Sequence, residues 1–410
     1  MSRFELDTSS KRAYLKDLLK LVITHVFGAS EKDVSTYAFS DQSMKIVTSK
    51  FTLEAIGVGQ HQATSEVFLL TLLGPDGPKK SLVIKIITAG SVTRGSSDTP
   101  EQVLIREVSN LIKTSEMLEG KPYIQVPKVV DVARVSHSDN LDSYMFAAEV
   151  APGQDLFTWM GEDLVGKTPE GLAQGLVKLR ERLAVVGRAL ALFHTSKAPA
   201  LSGKAELERD ITILQRILKT LKEDSVFSKD PHTNLQTAQK IETALDQIYQ
   251  RLLQRGDVAL VQTHRDFHLG NVFVDGEVVT PIDLESRRFG VSGEDYGKFL
   301  YFTRRIIQYY LHDYDPATIK QAIQAERAAF LTAYKETAAQ GDLKIPAEEV
   351  DLLSRFYEAQ EAIHRFYSAH GGGNIEDSRQ ILQTLKNILQ LSDGETALLD
   401  VPEAAVATVP

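Results

Sequence analysis

The 410-residue sequence contains no cysteine, which excludes disulfides and thiolate metal sites and suits a reducing compartment. It also has no excess of positive charge: 46 Lys and Arg against 55 Asp and Glu leave a formal net charge of −9. That sign argues against nucleic acid or an anionic membrane as partner, because neither polyanion is drawn to such a surface. No apolar run approaches the ~20 residues that span a bilayer. The N-terminal stretch mixes Lys, Arg, Asp and Glu into its apolar positions, unlike a signal peptide. Glycine and proline are not enriched, which argues against low complexity, and no internal repeat is present. These absences lead to the expectation of a cytoplasmic globular protein. At this length it should have two packed lobes rather than one core.

What is present divides in two. Residues 12–28 carry Leu15, Leu18, Leu19, Val22 and Val26 at helical spacing and predict a leading helix. From Met44 to Ile87 short runs rich in Val, Ile and Thr predict a sheet, with Gly74–Pro78 as a turn between Val67–Leu73 and Leu82–Ile87. Glu101–Leu118 reads as a helix, and Val129–Ala133 with Tyr144–Val150 as a strand pair. Beyond Pro152-Gly153 the pattern is helical. Leu172, Leu176, Leu179, Leu183, Val186, Leu190 and Phe193 recur at steps of four and three, the signature of one long helix with a buried stripe. Only Val258–Arg287 interrupts, as strand, loop and hairpin. The expectation is an α+β chain: a sheet-rich lobe over 1–148, a larger helical lobe over 149–390, and a loose tail over 391–410.

The chemistry concentrates in the interruption. Asp275-Gly276 between Val-rich runs signals a two-residue hairpin, whose open end returns Asn271 and Asp283 toward one another. An amide oxygen and a carboxylate are hard ligands that suit magnesium carrying a nucleotide's phosphates. Asp266, five residues before Asn271, is placed to accept the proton of an acceptor hydroxyl. Upstream, Lys85 interrupts the apolar run Leu82–Ile87. A lysine there either snorkels from an edge strand or needs an anionic partner, and Glu107 on the following helix is the natural one.

The run His264-Arg265-Asp266, Asn271, hairpin, Ile282-Asp283-Leu284-Glu285 resembles the aminoglycoside phosphotransferase and choline kinase family, relatives of the protein kinases. The resemblance implies a bilobal protein-kinase-like fold. It also implies transfer of the γ-phosphoryl group of ATP or GTP to the alcohol group of a small molecule, with Mg2+ as cofactor. By it Asp266 is catalytic, Asn271 and Asp283 bind magnesium, and His264 supports the loop. Lys85 with Glu107 resembles the pair that orients the α- and β-phosphates, and Gly57-Val58-Gly59 the loop that covers them. Glu149 and Ala151 resemble the hinge that holds the base through main-chain groups. Lobe 1–148 would then bind the nucleotide, and 149–390 would carry the catalytic loop and the acceptor.

Two departures accompany the likeness. Arg265 stands where the small-molecule kinases usually carry Gly. After Asp283, by contrast, Gly293-Glu294-Asp295-Tyr296 follows within a dozen residues, too soon for the long activation segment of protein kinases, and Asp295 is expected to cap the catalytic loop. Other readings remain open on the sequence alone: a kinase-like nucleotide-binding protein without transfer activity, or a metal-dependent hydrolase using His264, Asp266 and His268. Gly161–Thr168 satisfies the P-loop pattern, yet Glu162 and Asp163 would set negative charge where phosphates nest. The aromatics Tyr301, Phe302, Tyr309, Tyr310, Phe356, Tyr357, Phe366 and Tyr367 could cage a cationic amine or pack a core. Asp313, Asp315, Glu358 and Glu361 could meet an aminoglycoside, and Gly371–Gly373 reads as a flexible loop.

Overall fold

A computed structural model of the chain describes residues 45–47, 51–56, 66–74, 77–87, 98–136, 142–195, 202–223, 235–256, 258–342 and 344–391. The expected leading helix, Gly57 and Gly59, and nearly all of the expected tail lie outside these residues. The chain forms two compact units. One comprises Met1–Gly120, Gln125–Pro152 and Thr280–Ser286; the other comprises Lys121–Ile124, Gly153–Val279 and Arg287–Pro410.

The first unit is an antiparallel sheet with one long helix. Strands β1 (Lys45–Val47), β2 (Phe51–Ile56), β3 (Glu66–Gly74), β4 (Gly77–Ile87), β5 (Val129–Ser136) and β6 (Asp142–Glu149) lie in the order β1-β2-β3-β4-β6-β5. The predicted pairs appear as β3–β4, with Leu70 opposite Leu82 and Phe68 opposite Ile84, and as β5–β6. Phe68, Leu70, Leu82, Ile84 and Ile86 are buried, the alternation that a strand with one covered face requires. Helix α1 (Pro100–Leu118) starts at a capping box: Thr99 accepts from the Gln102 N–H and Gln102 accepts from the Thr99 N–H, with Pro100 completing the start signal.

The second unit is mostly helical. It contains α2 (Leu156–Leu164), α3 (Pro169–Thr195), α4 (Lys204–Glu223), α5 (Leu235–Gln254), α6 (Gly293–Tyr310), α7 (Pro316–Gln340), α8 (Ala347–Gly371) and α9 (Ile375–Leu389). All seven residues of the predicted stripe on α3 are buried. Short strands punctuate the helices: β7 (Gln154–Asp155), β8 (Leu260–Thr263), β9 (Val272–Asp275), β10 (Val278–Pro281) and β11 (Arg288–Val291). Strand β8 pairs with β11, and β7 adds to β9 of the hairpin. The hairpin turn is Gly276-Glu277, one position later than read from sequence, because Gly276 takes the positive φ of 55°. No helix among the described residues is long and apolar enough to cross a membrane.

Candidate active site

In the sheet unit, β4 sets Lys85 between Val67 and Phe146 in register. Its Nζ lies 2.8 Å from Glu107 and 3.0 Å from Asp283 Oδ1. Glu107 reaches it because it shares the inward face of α1 with Val103, Leu104 and Leu111. Burial alone would lower the pKa of Lys85, yet Glu107 and Asp283 outweigh burial and hold it above its ordinary value. Burial pushes the Glu107 carboxyl up, with Lys85 opposing. Asp283 adopts a left-handed backbone, φ 63°, a conformation that surrounding contacts must maintain. Helix α1 supplies them. Asn110 donates to the carbonyls of Leu284 (2.8 Å) and Glu285 (3.3 Å), and Arg106 donates to the Glu285 carboxylate at 3.1 Å. Carboxylate oxygens of Glu107, Asp283 and Glu285 lie within 4.8 Å of one another. This all-oxygen set suits magnesium rather than zinc.

In the helical unit, the loop from His264 to Asn271 is tied down at nearly every residue. The His264 ring is fully buried, and its Nδ1 accepts from the Asp266 N–H at 3.2 Å. Asp295, also fully buried, accepts from the backbone N–H of His264 (2.7 Å) and of Arg265 (2.6 Å), which is the capping expected from the sequence. His194 Nε2 lies 2.9 Å from Asp295, and its Nδ1 lies 2.7 Å from the Tyr334 hydroxyl. Arg265, at φ 69°, donates to Glu294 at 2.9 Å. The departure from Gly therefore makes a structural ion pair.

Asp266 itself is held at both oxygens. Lys298 donates to Oδ1 at 2.8 Å, and Asn271 donates to Oδ2 at 3.2 Å and to the Asp266 carbonyl at 3.1 Å. Burial would raise the Asp266 carboxyl, but His268 and Lys298 outweigh it and hold it well below the usual carboxylate range. His268 Nε2 is 3.6 Å from Oδ2, beyond hydrogen-bond reach, so Lys298 is the closer partner. Sequence reasoning missed Lys298, Glu285 and Asn110. The available signal for Lys298 was its position three residues after Asp295 on one helix face.

The structure decides among several of the alternative readings. The His264, Asp266, His268 metal site does not form: His264 Nδ1 is committed to the Asp266 N–H, and His268 Nδ1 accepts from the Gly270 N–H at 3.2 Å. Among the described residues only Glu107, Asp283 and Glu285 cluster closely enough to hold an ion. The P-loop pattern runs through the end of α2, and Thr168 accepts from the Gly171 N–H at the start of α3. Tyr301, Phe356, Tyr357 and Phe366 are core residues. Glu358 is buried between Arg304 (2.8 Å) and Arg327 (3.3 Å), and Asp315 caps α7, so neither carboxylate is free for an aminoglycoside. Gly371 and Gly372 end α8 rather than form a loop. At the expected hinge, the Glu149 N–H is already engaged, donating to the Lys128 carbonyl at 2.9 Å. Ala151 is buried.

A model of the phosphotransferase enzyme family matches residues 106–339, more than half of the 410-residue chain. The chain belongs to that family. The matched span includes Glu107, Asp266, Asn271 and Asp283, and Lys85 precedes it. No curated protein matches the sequence. Among solved structures, a glucosamine kinase (crystal form B) is similar with a TM-score of 0.53 and 13% identity, over 84% of this chain and 81% of that one. Glucosamine kinase in complex with glucosamine, ADP and inorganic phosphate gives a TM-score of 0.51 and 13% identity, over 84% and 78%. The apo form of a thermostable mutant of aminoglycoside phosphotransferase APH(4)-Ia gives 0.47 and 13%, over 84% and 95%. At such identities the likeness of the glucosamine kinase establishes the fold, and the kinase-like α+β architecture expected for this phosphotransferase family member is present.

Proposed function

We propose that this family member moves the γ-phosphoryl group of ATP or GTP onto a hydroxyl of a small molecule. The observation that carries the reading is Asp266, a carboxylate fixed at both oxygens in a loop whose own N–H groups are capped by a buried acid. In the proposal the acceptor oxygen bonds to the γ-phosphorus while the bond to the departing nucleoside diphosphate breaks, and the hydroxyl proton passes to Asp266. Paired with the Lys298 ammonium at 2.8 Å, that carboxylate is a weak base. Its main contribution is therefore to aim the hydroxyl, and the proton leaves as the new bond forms.

Lys85, kept charged and aligned by Glu107, is assigned to the α- and β-phosphates, with Gly57 and Gly59 covering them. Main-chain groups of Glu149 and Ala151 are assigned to the base. Asn271 and Asp283 are assigned to magnesium, and the carboxylate cluster around Asp283 is the oxygen-rich chemistry that such an ion requires. Magnesium, when bound, supplies neutralising charge to the phosphates. A nucleoside triphosphate donor and the lack of cysteine both suit the cytoplasm in this reading.

The test is a labelled-phosphate screen with ATP and GTP over amino sugars, aminoglycosides, choline-like amines and neutral sugars. Asp266→Asn should lower transfer by about 10²–10⁴-fold while nucleotide affinity stays close to wild type, because the group that aims the hydroxyl and takes its proton is removed and not a nucleotide contact. Equal turnover of the two proteins would refute the assignment. Nucleotide binding without transfer to any acceptor would favour a kinase-like binding protein.

A further inference from the structure

We infer that Lys298 is a positioning residue for the reaction, the group that fixes the Asp266 carboxylate and its loop in the reactive orientation. The inference rests on the phosphotransferase reading for its chemistry, but its geometry stands apart from it. Lys298 Nζ makes two contacts, and both end on the catalytic loop: the Asp266 Oδ1 at 2.8 Å and the Arg265 carbonyl at 3.2 Å. Its side chain is only 18% exposed, so a hydrated alternative position is restricted and the contact is not a loose surface pair.

The placement follows from α6. Glu294, Asp295 and Lys298 stand at positions i, i+1 and i+4, where one helical face presents all three. Glu294 takes the Arg265 guanidinium, Asp295 takes the N–H groups of His264 and Arg265, and Lys298 takes the carbonyl of Arg265 and the carboxylate of Asp266. The strained Arg265, φ 69°, is thus gripped at its N–H, its side chain and its carbonyl. Asn271 holds the second oxygen of Asp266, but in the proposed mechanism it is also assigned to magnesium. Lys298 has no such second assignment. It is the contact on the reacting carboxylate that is free to serve orientation alone. A free carboxylate swings among the staggered wells of χ1 and turns broadly about χ2, and a displacement near 1 Å at a reacting group costs about 10²-fold in rate.

The experiment uses the full chain with MgATP and MgGTP. It follows phosphate release to water and to any acceptor found active, together with nucleotide affinity and hydrogen exchange of the amides from Asp266 to Gly270. Lys298→Met should lower kcat by about 10²-fold with nucleotide affinity unchanged and exchange in the loop accelerated. Lys298→Arg should restore most of the loss. In an Asp266→Asn background Lys298→Met should add less than about twofold, since the two residues act as one unit. Wild-type kcat in Lys298→Met, or a full independent loss in the double variant, would overturn the inference. A wild-type protein that turns over no nucleotide would refute the phosphotransferase reading instead. The exchange measurement then decides the positioning role alone: faster exchange in Lys298→Met upholds it, and unchanged exchange rejects it.

Discussion

Two non-glycine residues with left-handed backbone, Arg265 and Asp283, stand respectively beside Asp266 and within the Glu107, Asp283 and Glu285 carboxylate cluster. Each costs about 1–3 kcal/mol unless its surroundings determine it. Arg265 is held by hydrogen bonds of its own, and Asp283 by Lys85 together with the bonds that Asn110 and Arg106 make to the two residues after it. Their residue types were legible in the sequence as a motif, but their backbone state was not, because it is imposed by Asp295 and Asn110 from distant positions. A third residue shows how costly burial without full pairing is. Glu326 on α7 is fully buried, with Arg180 Nε 3.0 Å from one oxygen and, among the described residues, no hydrogen-bond partner at the other. Burial pushes its carboxyl up to about 7, with Arg180 only partly opposing. The folded state therefore holds the proton more tightly than the unfolded chain, whose carboxyl titrates near 4.5. The contribution of this group to stability is full below about pH 4.5 and is lost as pH rises toward 7, by about 3 kcal/mol in all. Glu326→Gln should remove that part of the slope: its Tm should fall less between pH 5 and pH 8 than the wild-type Tm does. Parallel falls in the two proteins would sink this account.

At the scale of elements, helix α6 and helix α3 were legible to different depths. The α3 stripe announced both the helix and its buried face, because 3.6-residue periodicity is a local property. The partner of that face was not announced. Gly187 identifies it: a Cβ there would meet the Phe330 carbonyl oxygen on α7 at 2.3 Å, so the two backbones approach more closely than any side chain allows. In an open helix Gly→Ala stabilises by about 1 kcal/mol. Here the contact is with backbone, which cannot swing away, and overpacking of this kind costs about 1–3 kcal/mol. Gly187→Ala should therefore lower the Tm, and a rise would show that α3 and α7 are not packed this way. For α6 the sequence exposed Asp295 as a cap, yet the roles of Glu294 and Lys298 emerge only once the helix is laid against the loop. The aromatic-rich later helices stayed open between two readings, since composition cannot separate a binding cage from a core. Burial of Tyr301, Phe356, Tyr357 and Phe366 decides for the core at those positions.

At the scale of the whole molecule, the path of the chain matters more than its order. The sequence reading draws its first boundary after residue 148. In the structure the first unit closes at Pro152 and also takes Thr280–Ser286, seven residues lying between stretches that belong to the second unit. No local pattern marks such a segment, because its membership depends on Asn110, Arg106 and Lys85 binding it from more than a hundred residues away. A consequence follows for dissection of the protein. A fragment ending at Pro152 keeps Lys85 and Glu107 but loses Asp283 and the carbonyls that satisfy Asn110, each worth about 1–3 kcal/mol if buried and left without a partner. It should melt below the temperature of the intact chain. A synthetic peptide spanning 279–287 should raise its Tm in proportion to the logarithm of peptide concentration above Kd, as expected for a ligand that binds only the folded form. The same peptide carrying Asp283→Ala should be markedly weaker, because the ammonium of Lys85 then keeps one carboxylate instead of two. A fragment indifferent to the peptide would mean that the segment is carried along by its neighbours in sequence rather than bound by helix α1 and strand β4.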